Sequence, residues 1–202
     1  MMLAMDNVSS AQRRESALTE AVMAIVAEHG LHGVSVREVA AAADVSIGTV
    51  QHYFPTKERL LAAAYTEAVR RIRDRLDALR LGPDPRANLA RVLRQLLPLD
   101  ERRRTETRVY VAFAAGAATS PTLAEIQKDI LAELHVALSE AFALTWRDAA
   151  STHRCRLAAH AVIALVDGLA LHAVTTDHWL GQRQLTAALD LVLAALLDER
   201  VP

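Results

Sequence analysis

Gly48, Thr49, Gln51 and His52 fall within five consecutive positions and carry groups that suit the edges of base pairs. A glutamine amide pairs bidentately with adenine, threonine offers a hydroxyl and a methyl, and histidine donates or accepts. Glycine inside a short helix costs about 1 kcal/mol against alanine. Close approach of the backbone to something bulky, either DNA or a neighbouring helix, is the natural reason to keep it. Five positions beyond His52, Lys57 follows Thr56 at the expected start of a helix. The helix dipole disfavours a cation there by roughly a few tenths of a kcal/mol, and a bound phosphate reverses the sign. Thr56 and Lys57 therefore read as an anion clamp or, more plainly, as a solvated helix start.

The elements that must hold these residues are short and well punctuated. Ser46 is placed to cap a helix over residues 47–53, and Pro55 forbids its continuation. At about 100° per residue, Val50 and Phe54 share one side of that helix with Ile47 nearby. Gly48, Gln51 and His52 share the opposite side, with Thr49 on a flank. Upstream, Ser35-Val36-Arg37-Glu38 forms a capping box for a helix ending near Ala43. Before it, Leu18, Val22, Ile25 and Val26 mark an amphipathic helix over residues 11–29, stopped by Gly30. Two short helices joined by a tight turn, packed on a third, have the form of a helix-turn-helix.

The rest of the chain reads as helical too. Of 202 residues 52% are hydrophobic, only 4% are aromatic and seven are glycine, a mix suited to helices. Residues 1–10 are polar and aperiodic and are expected to be a disordered tail. A long helix is expected from Thr56 to about Arg80, then helices over 86–97, 101–118, 121–147, 151–178 and 182–199. They are divided by residues 82–85, Pro98, Pro121, a polar break near 148–152, and Gly181. The fold class is all-α, with about nine helices. The expected division is a tail at 1–10, a three-helix DNA-binding domain at 11–55 and a larger helical domain at 56–202.

Charge gives no help to a nucleic-acid reading. Residues 1–60 hold five Lys or Arg (Arg13, Arg14, Arg37, Lys57, Arg59) against seven Asp or Glu (Asp6, Glu15, Glu20, Glu28, Glu38, Asp44, Glu58), and the whole chain is at -1. Any DNA contact must come from placed residues rather than a basic field. The lone Cys155 closes no intrachain disulfide, and the apolar runs are broken by His, Asp or Arg before reaching about 20 residues. With no secretory pattern at the N-terminus, a soluble, cytoplasmic protein is expected.

Residues 36–40 (Val-Arg-Glu-Val-Ala), 43–50 (Ala-Asp-Val-Ser-Ile-Gly-Thr-Val) and 53–61 (Tyr-Phe-Pro-Thr-Lys-Glu-Arg-Leu-Leu) together resemble the DNA-binding signature of TetR-family repressors. The likeness covers about residues 11–64. It implies a homodimer on a palindromic double-stranded DNA operator, released when a small-molecule effector binds the larger domain. It implies phosphate contacts from Ser35, Arg37, Tyr53 and Lys57, and base-edge contacts from Gly48, Thr49, Gln51 and His52, with Ile47 on a thymine methyl. Ser46 joins this DNA-binding set. Asp44 stands where many members carry glycine, a departure that aspartate's tolerance of the left-handed conformation softens.

For an effector pocket the resemblance points to residues 86–178, where Tyr110, Phe113, Phe142, Trp146, Asp167 and His172 interrupt apolar faces. Arg102, Arg103 and Arg104 read equally as an anion-attracting patch or as a solvated helix start. The last two helices are apolar around much of their circumference and must be covered on two sides. Leu157, Ala161, Ala164 and Gly168 on one, and Leu185, Leu189, Val192 and Leu196 on the other, are the expected dimer interface; packing within one chain is the alternative.

An enzyme is not expected: no Gly-x-Ser-x-Gly, Gly-rich phosphate loop or Glu-x-x-His pair is present. No cofactor or metal is expected either. A metal sensor remains an alternative on eight histidines, though His153, His160, His172 and His178 share no i, i+4 pair and Cys155 supplies one thiolate. A helical DNA-binding dimer without an effector is the other.

Overall fold

A computed structural model describes residues 2–146, 151–176 and 179–198, with residues 2–10 as backbone only. Among the described residues the chain is all-α, with nine α-helices, a 3-10 turn and no strand. The helices are α1 (Met2–His29), α2 (Val36–Ala42), α3 (Ile47–Tyr53), α4 (Lys57–Asp77), α5 (Pro85–Gln95), α6 (Glu101–Ala117), α7 (Pro121–Trp146), α8 (Thr152–Thr175) and α9 (Gln182–Asp198), with the turn at Leu31–Gly33. The main difference from the sequence reading lies at the N-terminus, where α1 starts at Met2 and takes in most of the expected tail. That stretch has no apolar period to betray a helix, yet no Gly or Pro interrupts it. The polar break expected near 148–152 falls largely on 147–150, outside the described residues, as does His178.

The chain divides into two compact units. One comprises Met1–Arg70 with Arg108–Gln127, the other Arg71–Thr107 with Lys128–Pro202. In the first, Leu18, Val22 and Val26 of α1 join Val34, Val39, Val50 and Leu60 as buried core. Leu31 of the 3-10 turn sits so close to α6 that a Cβ added at Gly116 would lie 2.5 Å from its Cδ1. Tyr65 of α4, fully buried, stacks on Phe113 of α6 with ring centroids 4.8 Å apart. Its hydroxyl donates to Gln127 Oε1, and Gln127 Nε2 donates to the Tyr110 hydroxyl at 3.4 Å.

In the second unit, Leu89 and Leu93 of α5, Leu138 and Phe142 of α7, Val162 and Val166 of α8, and Leu185, Leu189 and Leu193 of α9 form one apolar core. Asp84 caps α5 and Ser151 caps α8, each oxygen accepting from an amide of the first turn. Among the described helices, α8 is long and apolar enough by length and average composition to cross a membrane, a test that a core helix also passes, though no uninterrupted apolar run in it reaches that length. Its His160, Asp167 and His172 are too sparse to lower the average. One face of α8 lies in the core; the rest of its apolar surface is taken up below.

Candidate nucleic-acid interface

The head of the first unit is built by caps and one unusual turn. Ser35 Oγ accepts from the Glu38 amide at 3.2 Å and starts α2. At the other end the Val45 amide donates to the Ala40 carbonyl and the Asp44 amide to the Ala41 carbonyl, at 2.9 and 3.3 Å. Asp44 itself has φ 52°, so this is a Schellman turn with aspartate in the left-handed position usually held by glycine. The turn delivers the chain to Ser46, whose Oγ accepts from the Thr49 amide at 3.0 Å and caps α3. Thr56 repeats the device on α4, accepting from the Arg59 amide at 3.3 Å.

Val50 and Phe54 are buried and pin α3 to the core. What α3 leaves outside is the expected set: Ile47, Gly48, Gln51 and His52 are exposed, and Thr49 and Tyr53 half-buried. Ser35, Arg37, Ser46 and Lys57 are exposed as well, so all ten named residues reach the surface of one unit. Three of their hydroxyls are already hydrogen-bonded within the chain: Ser35 Oγ to the cap of α2, and Ser46 Oγ to the cap of α3 and to the Thr49 hydroxyl at 2.9 Å. The His52 ring meets the Tyr53 ring edge-on with centroids 5.3 Å apart.

Two family models match this chain. Residues 18–64 match bacterial regulatory proteins of the tetR family, and residues 85–198 match the C-terminal region of BetI-type transcriptional repressors. The chain belongs to the TetR family. It is a transcriptional repressor of the BetI type, and its relatives are transcriptional regulators, not enzymes. The regulator BetI of Yersinia pestis is 30% identical over 177 residues, which cover 85% of this chain and 87% of that one. A crystal structure of a transcriptional regulator from Rhodococcus sp. Rha1 is 39% identical with a TM-score of 0.85, covering 93% of this chain and 99% of that one. A regulator from Saccharomonospora viridis, solved in complex with choline, shares the fold at 20% identity and a TM-score of 0.76, covering 92% of this chain and 96% of that one.

The six residues read as effector-pocket candidates are divided between the two units. Tyr110 and Phe113 lie in the first unit with Tyr65 and Gln127, two residues the sequence reading missed. Tyr65 was findable, since it falls on the apolar face of α4 with Leu60, Ala64 and Ala68. Phe142 and Trp146 pair in the second unit at 5.1 Å, and the Arg154 guanidinium lies 4.5 Å from the Trp146 ring centroid. Asp167 is half-buried, and that burial raises its pKa, with His135 pulling the other way. His172 is exposed on this chain.

Each arginine of residues 102–104, read as an anion patch or a solvated helix start, has a partner within the chain. Arg102 pairs with Glu106, Arg103 with Asp100, and Arg104 donates to the Ala173 carbonyl at 2.7 Å. Asp100 accepts from the Arg103 amide, which holds its pKa below the ordinary value. These arginines tie α6 to its own surroundings.

On α8 the expected stripe is open. Leu157 is 55% exposed, Ala161 and Ala164 are exposed, and a Cβ at Gly168 would meet nothing within 4 Å. Leu171, 42% exposed, extends the same 4-3-4-3 spacing and was missed. On α9 the structure places two of the four expected residues in the chain's own core, the packing given as the alternative. Leu185 and Leu189 are fully buried within the chain, packed in the core with Leu193 and Leu197, and Val192 and Leu196 are half-buried. The outward face is instead Ala187, Leu191, Ala194 and Ala195, with Leu191 73% exposed.

Proposed function

We propose that this repressor binds a palindromic operator as a homodimer through the outer face of α3 and is released by a small-molecule effector. The observation that carries this reading is the selective burial of α3. Val50 and Phe54 are spent on the core, and the positions left outside bear groups suited to bases and phosphates. Gln51 and His52 read base edges, with Thr49. Ser35, Arg37, Tyr53 and Lys57 hold phosphates, Lys57 beside the free amides of the first turn of α4.

Dimerisation is supported by the apolar residues left exposed on α8, Leu157 and Leu171, and on α9, Leu191, which water covers poorly. Family members usually bind DNA as dimers. Two α8 and two α9 helices then form a four-helix contact, with small residues on α8 permitting close approach. The effector shifts the population between two dimer geometries, one holding the recognition helices in half-site register and one not. Choline, bound by the Saccharomonospora viridis relative, is the first effector to test. The protein works in the cytoplasm, where its buried, free Cys155 stays reduced.

A gel-shift titration of DNA flanking the protein's own gene tests the contact assignment. Wild type is expected to shift a short palindrome, and Lys57→Ala and Tyr53→Ala to weaken it about tenfold or more in moderate salt, in line with charge-assisted contacts. Unchanged binding by both variants overturns it.

A further inference from the structure

Two titratable residues interrupt the open face of α8, and both interact with a histidine of α7. Leu157, His160, Ala164, Asp167 and Leu171 follow one another at spacings of three and four residues, so all five lie on one side of the helix. His160 is exposed, and its ring lies against the ring of His135 with centroids 4.0 Å apart and planes at 51°. His135 is half-buried, and its Nδ1–H donates to the Leu131 carbonyl at 2.6 Å, which leaves Nε2 to take up a second proton. Asp167, half-buried, interacts electrostatically with the same His135. Among the described residues no three ligand side chains converge as a bound metal needs, so proton uptake is the chemistry left to the pair. Few other charges lie close to it. On α7 the residues one turn either side of His135 are Leu131, Ala132, Leu138 and Ser139; Lys128 is two turns away, and Glu133 is paired with Arg73. On α8, Arg156 lies one turn before His160 and His153 two turns before, both exposed. On α9, Asp190 is paired with Arg94 and Asp198 with Arg86, and Arg183 is exposed at the helix start.

We infer that His135, His160 and Asp167 form a polar seam in the contact between two copies of α8, and that this seam loosens the dimer on acidification. The inference rests on the dimer reading and gives it a regulation. A second copy seated on Leu157, Ala164 and Leu171 also covers His160 and Asp167, which lie between them on the same side. With one ring protonated, the histidine pair and the Asp167 carboxylate balance, the state in which burial costs least. With both rings protonated, two cations at ring contact face one carboxylate, and Arg156 adds a third positive charge one turn away. A two-fold contact presents the same seam from each side, which doubles the excess. Histidine is the side chain whose ordinary charge change falls between pH 5 and 8, so acid is the direction that weakens the contact. Operator binding that needs the dimer weakens with it.

The test is sedimentation equilibrium of the full chain from about pH 7.5 to about pH 5.5, across the histidine range, with EDTA in every buffer to keep metals out. The wild-type dimer dissociation constant is expected to rise about tenfold over that range, as proton linkage requires of a contact that excludes a proton on each side. His160→Gln keeps a polar side chain and loses the second charge. Its dimer should match wild type within about threefold at the neutral end and change by about twofold or less on acidification. Asp167→Asn removes the carboxylate that balances the first proton, so its dimer should start to weaken at a higher pH than wild type. His153→Gln and His172→Gln should weaken with acid as wild type does. Circular dichroism at both ends of the range verifies that each variant keeps its helices. A wild-type dimer equally tight at both ends overturns the inference, as does an acid loss that His160→Gln leaves in place or that His153→Gln removes. A chain monomeric at every pH places the failure in the dimer reading beneath it.

Discussion

The outer face of α3 and the outer faces of α8 and α9 are both exposed surfaces of capped helices, yet they arise in opposite ways. On α3, Val50 is buried, as is Phe54 at the C-cap, and the exposed side is polar apart from Ile47. On α8 and α9, both the buried and the exposed sides are apolar, so composition alone does not separate core from interface. What separates them is which neighbours cover which face. The proposed recognition face is thus written locally in this chain, whereas the proposed association surface is decided by tertiary packing.

Adjacent faces of α9 give the sharpest way to break this contrast. Leu189→Ala should destabilise the fold by about 2–5 kcal/mol, as a fully buried leucine does, and circular dichroism melts will register it. Leu191→Asp, two positions on, should leave the helical spectrum intact and convert dimer to monomer in analytical ultracentrifugation. Equal behaviour of the two would erase the distinction between core and interface.

A second comparison concerns the turn before α3. Asp44→Val forces a β-branched residue into the left-handed position and should cost about 1–2 kcal/mol, while Asp44→Gly should be neutral or slightly stabilising. Denaturant midpoints measure both; a valine variant as stable as wild type would mean the turn does not hold α3 in place.

Gly48 sets stability against recognition. Gly48→Ala should stabilise the free protein by about 1 kcal/mol, since a Cβ fits and helix propensity improves, and should weaken operator binding. Loss of stability instead would show that α3 needs the glycine for itself.

The smallest effect is expected at Asp167. Burial raises its folded pKa above the ordinary aspartate value. Between the unfolded and folded values the native state keeps a proton that the unfolded chain has lost, so stability falls as pH rises through that window and stays lower above it. Asp167→Asn should therefore raise the melting temperature slightly at pH 7, with the gain fading on acidification. A gain that grows on acidification contradicts the burial argument.

Much of this was legible in the sequence because caps and breakers are local. Ser35, Ser46 and Thr56 each accept the amide their spacing requires, and α2, α3, α5 and α6 end within about two residues of their expected limits. Asp44 adopts the left-handed geometry that its place in the turn demands. The outward face of α9 was not legible, because Leu185 and Leu189 and the outward Leu191 are equally hydrophobic and only packing against the rest of the second unit decides between them. Nor did spacing reveal that Tyr110 and Phe113 belong to one compact unit while Phe142 and Trp146 belong to the other.

The central claim is that α3 reads DNA as one of a symmetric pair. Selection of randomised duplexes by the wild-type protein tests it most directly. The account predicts enrichment of an inverted repeat whose half-site centres lie one helical turn apart, roughly 34 to 36 Å, with mirrored sequences in the two halves. Enrichment of a single unpaired site or a direct repeat, or no enrichment above background, would contradict it.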